Sequence, residues 1–337
     1  MNVRVHLENY TIKPPVFWLT HALVRAARRD HPDIARRARF SVGDDLQTLD
    51  RNLREANVLV TSADVIRDAR FPRARLREHA PKLAHIHIIG AGIEGLLPLD
   101  WLPANVKLTN NSGVHVRKAR EFQLMALLAL NAHLPAIVSD QRRSHWQQHF
   151  TPSIEGKTLV IVGLGAMGRA ALSAARALRL RVIGVRRSAR PVSGVSRIFP
   201  PEKLAVALRN ADFLVIAAPL TPQTANLVDR RAMMAMRKGA GVINVGRAGV
   251  LDHDALRDLL RSGHLSGAIL DVFAPEPPAR RVAAVVDAQP HRQSARVLRR
   301  CRSLHARYDG SGLPQPATPA RRTKAGERRR RGERLLI

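Results

Sequence analysis

The chain has 337 residues, 45% of them apolar, and one cysteine, Cys301. That length suits about two domains of roughly 100–200 residues each with a substantial core, and a lone cysteine excludes an intramolecular disulfide and points to a reducing compartment. The net charge of +29 suggests an anionic partner, yet the residues after Pro278 hold sixteen Lys+Arg against four Asp+Glu, or +12 of it, and 4% aromatics offer few platforms for stacked bases.

The first residues, MNVRVHLENYTIKPPVFW, lack an apolar run of signal-peptide length. No segment approaches the roughly 18 uninterrupted apolar residues of a membrane span. A cytoplasmic protein with no membrane and no specific nucleic-acid partner is expected. Residues 1–105 read as a small α/β unit. ANVLVTSA (Ala56–Ala63), LAHIHIIG (Leu83–Gly90) and VKLTN (Val106–Asn110) are apolar runs of strand length, each ended by polar residues or glycine. His85 and His87 alternate with apolar residues on one strand face, a surface or core role; no second ligand cluster accompanies them, so no metal is expected. A long helix runs from Val114 to about His133 with FQLMALLAL as its buried stripe, and Pro135 ends it. A second helical stretch runs through Trp146. The pattern then becomes regular, with strands at 158–163, 181–185, 213–218, 241–245 and 267–273. Helices at 166–180, 201–210, 229–237 and 253–262 separate them. This alternation implies crossover connections and a parallel sheet covered on both faces.

TLVIVGLGAMGRAAL contains Gly163-Leu164-Gly165-Ala166-Met167-Gly168 directly after a strand and opening a helix, the context that gives G-x-G-x-x-G its weight. Gly163 permits the tight turn, Gly165 lets the backbone approach a pyrophosphate, and Gly168 lets helix and strand pack closely. The helix start adds free N–H groups and a partial positive charge. About 20 residues on, where an Asp or Glu would hold a ribose 2′-hydroxyl, the chain has Arg186, Arg187 and Ser188. Two guanidinium forks and a hydroxyl suit a 2′-phosphate, so NADP(H) is expected in preference to NAD(H).

DFLVIAAPLTPQTANLVD (Asp212–Asp229), VINVGRAGVLDHDAL (Val242–Leu256) and GAILDVFAPEP (Gly267–Pro277) resemble the D-isomer-specific 2-hydroxyacid dehydrogenases, most of all the glyoxylate/hydroxypyruvate reductase type. The loop GAGIEGL (Gly90–Leu96) and the segment TNNSGVHVRKAREF are similar to the family's substrate domain and crossover helix. The resemblance covers roughly residues 50–277. It implies a Rossmann doubly wound parallel sheet inserted in a smaller flavodoxin-like α/β substrate domain. Residues 1–105 would then be the first part of the substrate domain and 106–278 the NAD(P)-binding domain. A C-terminal return would complete the substrate domain.

The resemblance further implies that Arg247 clamps the substrate's carboxylate and carbonyl, a task suited to a bidentate guanidinium. Glu276 resembles the acid that orients a catalytic histidine, and Asp271 resembles the residue at the nicotinamide end of the cofactor. Ala91 and Gly92 resemble backbone donors to the substrate carboxylate. Ala218, Pro219, Val245 and Gly246 complete the implied cofactor contacts. Ala248 stands where the family most often has glycine. The partners implied are a small 2-keto or 2-hydroxy acid and a second copy of the chain, as a homodimer.

Reduction of a 2-keto acid needs a proton donor beside the carbonyl. The family's donor is a histidine in a Pro-His pair some 20 residues after the Glu, but the sequence there reads VVDAQPHRQSARVLRR. His291 sits in a Pro-His pair, yet it comes too early and its neighbours resemble nothing in the family. Codons for Val286 to Arg300, read one nucleotide later, can spell WTPNLIVSPHVSSDD, with the expected histidine spanning Ala295 and Arg296. A frameshift near residues 278–282 would account for this. Residues 279–337 would then be an out-of-frame basic tail, whose composition reads as disordered, in place of the C-terminal return. Turnover would be impaired. The competing readings are a non-catalytic dinucleotide sensor and, third, a nucleic-acid binder acting through RRTKAGERRRRGER (Arg321–Arg334).

Overall fold

A computed structural model describes residues 3–275. Two parallel sheets organise them. The first takes β1 (Val3–Glu8), β2 (Ala38–Gly43), β3 (Val58–Thr61), β4 (His85–Ile88) and β5 (Lys107–Asn110) in the spatial order β2-β1-β3-β4-β5. This is the flavodoxin-like order. The second takes β6 (Thr158–Val162), β7 (Arg181–Val185), β8 (Arg197–Phe199), β9 (Phe213–Ile216), β10 (Ala240–Asn244) and β11 (Leu265–Leu270) in the order β11-β10-β9-β6-β7-β8. That is the doubly wound dinucleotide order, with the reversal between β6 and β9.

The second sheet is buried on both faces, which is why its strands read as continuous apolar runs rather than alternating ones. Leu159 and Ile161 of β6, with Phe213 and Val215 of β9, enter one core. Val160 and Val162, with Leu214 and Ile216, enter the other. The helix Ala166–Ala177 follows β6 with Ala170, Ala171, Ala174 and Ala175 fully buried, small enough to seat it closely on its neighbours. The helix Val116–Asn131 buries Ala126, Leu127 and Leu130, and Leu130 packs against Gly241 and Gly267. No single described helix is long and apolar enough to cross a membrane.

The first sheet is more one-sided. Leu49, Leu53, Leu59, Ile66, Ile86 and Ile88 form its core. On the other face the helix His21–Asp30, capped by Thr20, buries none of its residues. An apolar groove of about 290 Å³ lies there, lined by Val5, Leu7, Leu23, Val24, Phe40 and Val60.

Several expected boundaries move. Residues 106–110 were assigned with the nucleotide-binding part, but β5 pairs with β4 and belongs to the first sheet. β1, β2 and β8 were not anticipated. The long helix ends at Asn131 through His133, whose φ of 52° breaks the turn; Pro135 instead sits in the first turn of the next helix, Leu134–Arg142, where its missing N–H costs nothing. Trp146 lies beyond that helix. The last strand ends at Leu270 rather than 273, and 201–210 holds only a 3₁₀ turn and the short helix Leu204–Ala207.

Candidate active site

Each expected cofactor residue lies just past the carboxyl end of a strand in the second sheet, where ligands enter open parallel sheets. Gly163 to Gly168 follow β6, Arg186 to Ser188 follow β7, Ala218 and Pro219 follow β9, Val245 and Gly246 follow β10, and Asp271 follows β11. The glycines differ in what surrounds them. Gly163 has a φ of +92°, and an added Cβ would lie 2.8 Å from the Ala218 nitrogen. At Gly168 the added atom would lie 1.9 Å from the Gly163 carbonyl oxygen, so helix and turn meet without room for a side chain. At Gly165, the residue capping the helix, nothing lies within 4 Å. That open cradle before a helix N-terminus fits a pyrophosphate. Gly246 closes the other wall, its Cβ position 2.6 Å from the Ala218 carbonyl oxygen. The side chains of Arg186 and Arg187 make no ion pair among the described residues, while Ser188 accepts from the Arg190 N–H.

Arg247 leaves the loop after β10 and reaches the first sheet. Its Nη1 donates to the Gly246 carbonyl at 2.9 Å, and its Nη2 meets Glu94 Oε1 at 2.9 Å. A Cβ on Gly92 would lie 2.7 Å from the same Nη2. The guanidinium therefore lies over the Gly90–Leu96 loop that follows β4. The N–H groups of Ala91 and Gly92 make no hydrogen bond among the described residues, whereas the Ala91 carbonyl accepts from Asn110 Nδ2 at 2.7 Å. Free N–H groups beside a planar cation form a site able to take a carboxylate. Asn244, fully buried, fixes the approach: its Oδ1 accepts from the Gly246 N–H at 3.0 Å and its Nδ2 donates to the Arg247 carbonyl at 3.1 Å.

Residues 124–291 match the model of the D-isomer specific 2-hydroxyacid dehydrogenase NAD binding domain. The chain is 26% identical to a D-isomer specific 2-hydroxyacid dehydrogenase family protein from Aeromonas salmonicida, with a TM-score of 0.68, over 84% of this chain and 86% of that one. The chain belongs to this dehydrogenase family. An NADPH-dependent glyoxylate/hydroxypyruvate reductase from Sinorhizobium meliloti, solved with NADP and sulfate, is similar at 25% identity and a TM-score of 0.65, over 83% and 84% of the two chains. A D-3-phosphoglycerate dehydrogenase from Mycobacterium bovis is 30% identical over 248 residues, 72% of this chain. The chain spans 47% of that relative's length, about half.

Within the dehydrogenase fold the structure brings Arg247, Ala91 and Gly92 together, and it adds two residues the sequence did not flag, Glu94 and Asn244. Glu94 lies 153 positions from Arg247 and carries no local signal. Asn244 did have one, as a polar residue closing a β-run of small and apolar residues. Glu276, His291 and the shifted-frame segment lie outside the described residues, as does the basic tail. The nearest histidine along the chain, His253, is turned to the Ala248 carbonyl at 3.2 Å. A cavity of about 800 Å³ lies at the amino ends of β6, β7, β9 and β10, away from this crevice. Lys157, Arg181, Arg209 and Lys238 line it, and burial lowers the pKa of Lys157.

Proposed function

We propose that this chain carries the frame of an NADP(H)-preferring reductase of small 2-keto acids of the glyoxylate/hydroxypyruvate type, with turnover impaired by the lack of a proton donor. The observation that carries the reading is Arg247 lying over Gly92 and the free N–H groups of the Gly90–Leu96 loop. Gly163, Gly165, Ala166, Met167 and Gly168 would hold the pyrophosphate, and Arg186, Arg187 and Ser188 the 2′-phosphate. Ala218, Pro219, Val245, Gly246 and Asp271 would line the path to the nicotinamide. NADPH, when bound, supplies the reducing equivalent.

The chain's own groups then orient the substrate. Arg247 grips the carboxylate and polarises the carbonyl with its planar, bidentate guanidinium. Ala91 and Gly92 donate to the far carboxylate oxygen. A carbonyl so held still needs a proton, and Glu276 would serve only through a histidine. The open apolar groove on the first sheet supports the same reading, because a C-terminal return is what the resemblance assigns to that part of the fold. Exposed Met125, Leu128, Leu134, Ile137, Trp146 and Phe150 support a homodimer through this region. A cytoplasmic location accords with the lone cysteine.

The second reading, a dinucleotide-binding protein without turnover, is favoured by the printed sequence after Pro278. Direct resequencing of the gene separates the two, together with a chain resynthesised in the shifted frame from residue 279. The shifted chain is expected to oxidise NADPH with glyoxylate or hydroxypyruvate at least 10²-fold faster, from the usual contribution of a general acid. Equal rates from both chains would defeat the frame reading. A nucleic-acid role would instead show as salt-dependent DNA affinity lost on truncation at Pro278.

A further inference from the structure

Glu94 has no part in the carboxylate-gripping scheme, yet it occupies the cation on which that scheme depends. Its two oxygens lie 2.9 and 3.2 Å from Arg247 Nη2. The Cβ position of Gly92 is 2.8 Å from Glu94 Oε2 and 2.7 Å from Arg247 Nη2, so carboxylate, guanidinium and backbone meet at one point. Both side chains are a little over one-third exposed, which leaves the pair within reach of an incoming anion. A carboxylate bound at Arg247 must therefore share its cation with a carboxylate built into the loop. One guanidinium balances one of the two charges, and any further negative charge on the ligand faces Glu94.

Resting on the substrate-site reading above, we propose that Glu94 sets the charge class of the substrate. Monoanionic 2-keto acids are accepted, and dianions, whether dicarboxylates or phosphorylated acids, are disfavoured. Unit charges about 5 Å apart in a partly exposed cleft repel enough to change affinity on the order of tenfold. Exposed Arg67 is a neighbouring cation that would work against this. Its Nη1 and Nε lie 3.3 and 3.4 Å from the Cβ position of Gly95, so a remote anionic group could find it.

The test uses the full chain saturated with NADPH and two probes of nearly the same shape, oxamate (one negative charge) and oxalate (two). Calorimetric titration at about 0.1 M salt, where screening is moderate, gives the ratio of their affinities. Wild type is expected to favour oxamate about tenfold. Glu94→Gln should bring the ratio near one by strengthening oxalate, and Glu94→Asp, which keeps the charge, should restore the preference. A merely structural disturbance of the loop would weaken both probes and leave the ratio unchanged. An unchanged ratio in Glu94→Gln overturns the proposal, as does a wild-type preference for oxalate that Arg67→Gln removes. Arg247→Gln keeps the two levels apart. Loss of both probes in that variant upholds the substrate site whatever Glu94 does, whereas undiminished binding of both sinks the site and the proposal together.

Discussion

Replacing Gly165 by alanine adds a methyl group where the ligand-free protein has empty space. Nothing lies within 4 Å of the new atom, and the backbone there (φ −72°, ψ −158°) is one that alanine adopts freely. Folding stability should hold or rise by about 0.4–1 kcal/mol, because the unfolded chain loses freedom. The same methyl group occupies the cradle assigned to the pyrophosphate. Displacing that group from the helix N–H donors sacrifices at least one charge-assisted hydrogen bond, about 1.5–3 kcal/mol. The NADPH Kd should therefore rise about 10–150-fold. Gly168→Ala forms the contrasting case, since its Cβ would press to 1.9 Å from the Gly163 carbonyl oxygen and force the turn to shift. That overpacking should cost about 1–3 kcal/mol in stability as well as cofactor affinity. Thermal unfolding paired with titration of nicotinamide fluorescence measures both quantities. A folded Gly165→Ala chain that binds NADPH within twofold of wild type would refute the assignment of the cradle.

Arg186→Ala combined with Arg187→Ala should weaken NADPH by at least tenfold and leave NADH within about threefold, read from the same titration; equal losses for both cofactors would remove the 2′-phosphate assignment. Asn244→Ala strips the buried Gly246 N–H of its partner, so unfolding by urea should show a loss of about 1–3 kcal/mol. Side-chain and backbone hydrogen bonds from Arg70 hold the Asp68 carboxyl well below the usual carboxylate range. Its folded pKa is thus below its unfolded value, so its stabilisation is present above about pH 4 and is lost as pH falls through the folded pKa. Asp68→Asn should consequently lower Tm at pH 7, with the gap to wild type closing as the solution is acidified; a gap constant from pH 7 to pH 2 would contradict that linkage.

Five strands of the second sheet were legible because dense buried runs such as TLVIV and FLVI admit few other readings, whereas its short edge strand β8, RIF with an exposed Arg197, carries no such run. The glycine loop was legible for a related reason: its positions answer to local backbone geometry. The first sheet hid β1 and β2. VRVHLE and ARFSVG alternate, but they place Arg4, His6, Arg39 and Ser41 among the apolar residues and look polar when read alone. In the fold His6 is 1% exposed, hydrogen-bonded to Ser41 and Glu8. Tertiary pairing made those polar residues tolerable, and no window of sequence contains it. The Glu94–Arg247 pair was hidden for the same reason, because it joins loops from different sheets.

An altered C-terminal segment would burden the two parts of the fold unequally. The doubly wound sheet closes its two cores with residues up to Phe273, and both walls of the dinucleotide crevice come from strand ends inside that span. The first sheet encloses one core and leaves a groove on its other face. Arg247 belongs to the self-sufficient part, while the Gly90–Leu96 loop it lies over belongs to the part with the open groove. The contact between them joins a cation carried by the doubly wound sheet to a loop in a less completely packed sheet. Cofactor affinity should consequently survive loss of the return better than substrate affinity, and in such a chain the substrate site is the first place where binding energy is forfeited.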